Sequence, residues 1–251
     1  MDGGVARSRQ AEGEWRDHGL FVVNGLVMKT VPEYRRQSQE RRIRRVLKQL
    51  ALILAAGLAV SGCMQQQKGQ PAMWYAANQA VPPTATKIVV CHGFGCVQRT
   101  SVTLSKRNIR TFKAMLARGR SSPAAERKAI GEAIAWMEKT VAPSVGSDDD
   151  VPGLDLRNAG VAGQMDCIDE STNTTSYLLF AEERGFLKHH TVARPVARGF
   201  FLDGRYPHAT AVVRETETGK AFAVDSWPQA NGERPEIMSL EDWFNTHPLF
   251  G

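Results

Sequence analysis

The stretch RYPHATAVVRETETGKAFAVDSW, residues 205 to 227, restricts the possible folds more tightly than any other part of the chain. Two runs of alternating β-branched, aromatic and small residues, HATAVVRE and KAFAVDSW, flank the turn formers TETG. This pattern predicts a β-hairpin, and hence an antiparallel sheet. Pairing Glu215 with Lys220, a favourable cross-strand charge pair, fixes the register. Ala211 then faces Val224 and Thr210 faces Asp225, and Ala211, Val213, Phe222 and Val224 form the apolar face. His208, two residues before Thr210, shares a face with Asp225 and lies diagonal to it. A slip of one residue would put imidazole and carboxylate on opposite faces.

A second stretch, GQMDCIDESTNTTSYLLFAEERGFL, residues 163 to 187, predicts a helix with a cysteine in its first turn. Asp166 is the cap, Cys167 the first helical residue, and Asp169 sits near the N3 position. Ile168, Thr172, Thr175 and Leu179 follow one face, and Gly185 ends the element. A helix N-terminus offers unpaired N–H groups and partial positive charge, which favour thiolate over thiol. Those N–H groups also suit the oxyanion formed when sulfur attacks a carbonyl. Gln164 is positioned to add a side-chain donor to that hole. The charges of Asp166 and Asp169 oppose a thiolate, so an imidazolium close by is needed to favour one.

The N-terminal segment accounts for the charge of the chain. Its formal net charge is +6, but residues 1–62 hold 11 Lys/Arg against 6 Asp/Glu, leaving 21 against 20 for residues 63–251. A near-neutral remainder gives no electrostatic reason to expect nucleic acid as a partner. The basic run RRQSQERRIRRVLK, residues 35–48, precedes LALILAAGLAV, residues 50–60, which is too short to span a bilayer comfortably. Basic flank, short apolar core and the small residues of SGC together predict an export signal. Val60-Ser61-Gly62-Cys63 resembles the lipobox of bacterial lipoproteins, which implies lipidation of Cys63 and cleavage just before it. Residues 1–62 are therefore set aside as a signal segment, with 1–27 an over-extended start and Met28 a plausible initiator. Residues 63–86, Gln-, Ala- and Pro-rich, are the expected lipidated N-terminus and tether, with Trp74 and Tyr75 packing on the domain of residues 87–251. Met64 after Cys63 resembles the sorting signal for an outer membrane, so an exported, lipid-anchored protein on its periplasmic face is expected.

The chain has four cysteines. Export places them where disulfides persist. Cys91 and Cys96 in CHGFGC are five apart with two glycines between them, and are expected to pair. A metal site including His92 and a thiol-exchange role are the other readings of this pair. Cys167 is left without a partner, and must be buried or used. Residues 87–90 and 97–104 read as strands. Residues 106–118 read as a helix stopped by Gly119, and a second helix starts at Ser122-Pro123 and stops at Pro143. Residues 144–163, with Asp148-Asp149-Asp150, read as a solvated loop, and His189-His190 as loop or strand-edge residues. Trp227 is a candidate wall for a cleft, and SLEDWF, residues 239–244, a short capped helix burying Leu240, Trp243 and Phe244.

A Cys at a helix N-terminus, a His opening a strand and an Asp ending the next strand, in that order, resemble the transglutaminase-like cysteine protease superfamily. MDCIDES, PHATAVV and FAVDSW carry the resemblance, over roughly residues 160–230. It implies an α+β, papain/transglutaminase-like fold with the Cys-bearing helix packed on an antiparallel sheet. It also implies Cys167 as nucleophile, His208 as general base and acid, and Asp225 as the group orienting His208. The expected activity is a membrane-anchored thiol hydrolase or acyl transferase acting on peptide, protein or cell-wall amides, with no metal and no cofactor. A catalytically silent binding or scaffolding lipoprotein is the alternative, and a redox protein built on Cys91 and Cys96 a third class.

Overall fold

The computed structural model describes residues 14–16, 20–23, 26–29, 36, 44, 70–153, 157–199 and 207–246. Residues 1–63 and 64–251 form two separate units. The first holds a three-stranded antiparallel meander, β1 (Glu14–Arg16), β2 (Leu20–Val23) and β3 (Leu26–Lys29), which covers much of the expected over-extended start and runs through Met28. The apolar run 50–60, Cys63 and residues 64–69 lie outside the described residues. No described helix is long and apolar enough to cross a membrane.

The second unit is α+β. Its elements run α1 (Pro71–Ala77), β4 (Lys87–His92), β5 (Gln98–Thr103), α2 (Lys106–Ala117), α3 (Pro123–Val145), α4 (Cys167–Glu182), β6 (His190–Arg198), β7 (His208–Glu215), β8 (Ala221–Asp225), β9 (Glu236–Ser239) and α5 (Leu240–Asn245). The strands make a β4-β5 hairpin and a four-stranded antiparallel sheet of order β6-β7-β8-β9. The predicted hairpin register is the observed one: Ala211 pairs with Val224 and Val213 with Phe222. The expected reason needs correction. Glu215 donates its N–H to the Lys220 carbonyl, but its carboxylate pairs with Arg127 at 3.1 Å, and Lys220 is exposed. Both hairpin faces are buried. Ala211, Val213 and Val224 join the main core with Tyr177, Leu178 and Phe180 of α4, while Val212 and Ala223 pack under Leu240 and Trp243 of α5.

Helix α4 runs through the centre of the domain, and Thr172, Asn173, Thr174, Thr175 and Ser176 are all buried. A helix so polar stays buried only if every side chain finds a partner. Thr172, Thr175 and Ser176 hydroxyls donate back to the carbonyls of Ile168, Ser171 and Thr172. Asn173 accepts the Cys91 N–H at 2.7 Å and donates to the Cys91 carbonyl at 2.8 Å, tying α4 to β4. Trp74 Nε1 donates to Thr172 Oγ1 at 2.8 Å, and Tyr75 Oη meets Ser176 Oγ at 2.7 Å. Residues 71–77 are therefore a docked helix where the sequence suggests tether, and the domain begins before residue 87.

Helices α2 and α3 start on Ser105 and Ser122, each accepting the N–H three residues on. Gly119 joins them; a Cβ there would meet Glu126 Cα at 2.5 Å. α3 continues past Pro143 to Gly146, because Pro143 lies in the last turn, where one lost hydrogen bond is tolerated. His190 is a buried strand residue: its Nδ1 and the N–H groups of Lys188 and His189 all bond Glu126. Burial alone would raise the Glu126 carboxyl, but these donors hold it below its ordinary value.

The loop after α3 is anchored by close backbone approach. Gly163 has φ +86, and a Cβ there would lie 1.9 Å from the Gly146 carbonyl oxygen. Gly160 has nearly the same φ, +84, but open space around it. Gly160→Ala should cost only the left-handed strain, about 1–2 kcal/mol. Gly163→Ala should cost roughly 3 kcal/mol or more, through displaced backbone. Urea unfolding of the two variants checks the difference, and equal losses would contradict the packing described.

Candidate active site

The three residues expected to act together come from α4, β7 and β8. His208 opens β7 and Asp225 ends β8 on the same face, and His208 Nε2 lies 2.6 Å from Asp225 Oδ2. Both side chains are almost fully buried, at 2% and 4% exposure. The shared carboxylate oxygen also accepts the Trp243 Nε1–H at 2.7 Å. The imidazole is held between Trp227, with ring centroids 4.4 Å apart, and Trp243, at 5.5 Å. Arg198 stacks on Trp243 at 4.2 Å and donates to the Thr246 carbonyl at 2.6 Å, so strand β6 fixes α5 against the pair. Trp227 walls the site as expected, whereas Phe244 is only half-buried.

Cys167 is the first residue of α4, below a capping box in which Asp166 accepts the Ile168 and Asp169 N–H groups and Asp169 accepts that of Asp166. Its Sγ lies 3.9 Å from the Pro207 carbonyl oxygen, and its side chain packs with Ala209, Trp227 and Trp74. The sulfur thus rests against the backbone on both sides of His208. Among the described residues, His208 Nδ1 and Asp225 Oδ1 have no hydrogen-bond partner. An imidazole donating from Nε2 to a carboxylate keeps a bare lone pair on Nδ1.

The thiol itself is not activated at rest. Burial, then the charges of Asp166 and Asp225, push Cys167 up to about 12, with the Ala209 N–H acting in the opposite sense. The attraction of the helix N-terminus is outweighed, because the sulfur is buried and the Asp166 carboxylate stands at the cap. The resting sulfur is a neutral thiol, not the thiolate that the helix position alone suggested.

Gln164 is buried, and its amide is engaged with the loop before it. Nε2 donates to the Asp149 carbonyl at 3.0 Å, and Oε1 accepts from the Val151 N–H at 3.0 Å and from Asn158 at 3.4 Å. One Nε2 hydrogen remains for an oxyanion. Cys91 and Cys96 form a disulfide, closing a loop in which Phe94 and Cys96 adopt φ of 69° and 59°. The loop N–H groups of Phe94 and Cys96 donate to Asp169 at 2.8 and 2.6 Å. His92 is occupied by Thr100 and the Gly163 N–H. CHGFGC therefore supports the Cys167 turn, and its paired sulfurs are not free to ligate a metal.

Sequence reasoning missed Trp243 as a partner of Asp225, and a set of buried acids behind the site. Glu170 accepts from Ser226 Oγ at 2.8 Å, Ser226 meets Thr174, and Asp150, expected to be solvated, is buried and accepts the Met165 N–H. Glu138 accepts the Gly232 N–H with one oxygen and, among the described residues, has no partner for the other. No helical or strand period marks such a set, since its members meet only in the fold.

No family model matches the chain, no curated protein matches it, and no solved structure matches it.

Burial pushes Glu138 up to about 8 and raises Glu170 well above its usual value, with their mutual repulsion adding to both the Glu170 shift and the cost of ionising the set. A raised carboxyl contributes stability that is whole below its unfolded value of 4.5 and is lost as pH climbs through about 8. Between those limits each such group can cost up to about 1.4 kcal/mol per pH unit. Glu138→Gln should flatten the fall in melting temperature across this interval. An unchanged slope in thermal melts taken from pH 5 to pH 9 would count against the buried acid.

Proposed function

We propose that this chain is an exported, lipid-anchored thiol enzyme, a hydrolase or acyl transferase of amide bonds, with a papain/transglutaminase-like domain. One observation carries the reading: His208 is fixed by Asp225 at 2.6 Å through Nε2, while Nδ1 has no partner among the described residues and Cys167 Sγ rests beside the backbone flanking His208. Peptides, proteins or cell-wall crosslinks are the substrates that suit an anchored enzyme of this kind. Cys63 is the proposed acylated residue and an outer membrane, periplasmic face, the proposed location.

In this scheme the substrate carbonyl meets a thiol rather than a preformed ion pair. Sγ attacks the carbonyl carbon as His208 Nδ1 takes its proton, and the oxyanion is received by N–H groups of the first turn and by Gln164. The imidazolium, steadied by Asp225, gives that proton to the departing amine. Water or an acceptor amine then attacks the thioester, His208 again moves the proton, and the thiol is restored. Trp243 positions Asp225 and, with Trp227, excludes water from the imidazole. The chemistry as written uses no metal and no organic cofactor.

The burial that raises Cys167 to about 12 favours one other reading, a silent binding module that retains the fold. Iodoacetamide labelling of Cys167, read by peptide mass, separates them. With His208 as base, labelling of the native chain at pH 7 should exceed that of His208→Ala by roughly a hundredfold. Trp243→Phe should fall between the two. Without its base, the thiol should label faster with each rise in pH, with no plateau at neutrality. Equal labelling of native chain and His208→Ala at pH 7 would leave only the binding module.

A further inference from the structure

The near-neutral balance of residues 63–251 hides a segregation of sign. Residues 64–125 contain nine Lys/Arg and no Asp/Glu, whereas residues 126–251 contain 12 against 20. The cations gather on α2. Lys106, Arg107, Arg110 and Lys113 are exposed on it, and Arg118 follows at its C-cap. At 3.6 residues per turn these five fall within an arc of about 140°. The opposite arc carries Phe112 and Leu116, both buried, with Ile109 and Met115 packed against the core. None of the five takes part in an ion pair among the described residues; Lys113 lies 5.7 Å over the Phe186 ring. The next acid along the chain, Glu126, is buried and bonded to His190.

A solvated helix face ordinarily mixes signs, because like charges three and four residues apart repel. Lys106, Arg107, Arg110 and Lys113 are spaced in that way with no acid among them. The strip thus holds uncompensated repulsion that a polyanion would relieve. None of its five cations lines the cavity of about 710 Å³ that Met115 of α2 borders. A twelve-residue helix presents a row about 18 Å long, suited to an extended flat surface rather than to a small ligand.

We propose that the α2 strip docks the domain on the anionic headgroups of a bilayer. The choice of a bilayer rests on the reading of Cys63 as the lipid anchor. The described domain begins at Gln70, seven residues after Cys63, so the extended chain lets it stand off by no more than about 25 Å. A lipid attachment and a basic patch together supply two membrane signals at the ends of one short tether.

The test uses the chain expected after removal of the signal segment, residues 63–251 carrying Cys63→Ser and holding the separate unit 64–251, sedimented with phosphatidylcholine vesicles with and without phosphatidylserine. Binding should depend on the serine lipid and weaken with salt. Removing two strip cations with Lys106→Gln and Arg110→Gln should weaken it about thirtyfold. Lys128→Gln with Lys220→Gln, the same charge change at exposed positions off the strip, should leave it nearly unchanged. Binding that the strip variant keeps in full, or that both variants lose equally, overturns the proposal. So does duplex DNA that displaces the protein from the vesicles at equal charge concentration, which would assign the strip to nucleic acid. The anchor is read separately, on vesicles without phosphatidylserine. There, the native chain made in a bacterial host should bind and Cys63→Ser should not, whatever the strip does.

Discussion

The domain depends on burying a polar helix. α4 places Thr172, Asn173, Thr174, Thr175 and Ser176 in the interior, a sequence that would otherwise favour the surface. A buried hydroxyl or amide left without a partner costs about 1–3 kcal/mol. The rest of the architecture supplies those partners. Trp74 and Tyr75 reach in from α1, the Cys91 backbone from β4, and Ser226 from the end of β8. Each bond also fixes register, because a hydrogen bond is directional where an apolar contact is not. The Cys167 turn is consequently held from several sides before any question of chemistry arises.

The parts of this arrangement that were legible in the sequence are those governed by local rules. Alternation and turn formers gave the hairpin, and hence His208 and Asp225 on one face. Asp166 gave the helix start, and the glycines of CHGFGC the small disulfide ring. What escaped notice depends on contacts between distant segments. Glu215 chooses Arg127, 88 residues away, over the neighbouring Lys220, because the nearer cation stays in water. Residues 71–77 show no long period, yet two aromatic N–H and O–H groups find hydroxyls on α4 and make a helix of them. Trp243 looked like an apolar residue closing the core; its indole N–H was the informative group, and it finds Asp225 only through packing of α5.

The electrostatic reading of the cysteine illustrates how magnitudes decide. A helix N-terminus stabilises a nearby anion by about 0.3–1 kcal/mol when exposed. Desolvation of a nearly buried thiolate, with two carboxylates close by, acts in the opposite direction and is larger, as the shift of Cys167 to about 12 records. Position at a helix end is thus a weak guide to thiol reactivity when the same turn is capped by acids. Asp169 shows the same conflict: burial and Asp166 push it up to about 8 against the N–H groups of Phe94 and Cys96.

These two facts bear on each other. Asp166 caps α4, so its charge, which helps raise the thiol, cannot be removed without loosening the turn that carries it. Nucleophilic chemistry in such a site cannot draw on a standing thiolate and must draw on the base. On the proposed mechanism that demand falls on His208, whose carboxylate partner is shared with Trp243 and whose ring is enclosed by two indoles. A ring so confined has its tautomer fixed by the Nε2 bond and its lone pair directed from Nδ1. The polar helix sets the sulfur, the hairpin sets the imidazole, and α5 keeps the imidazole where the hairpin put it.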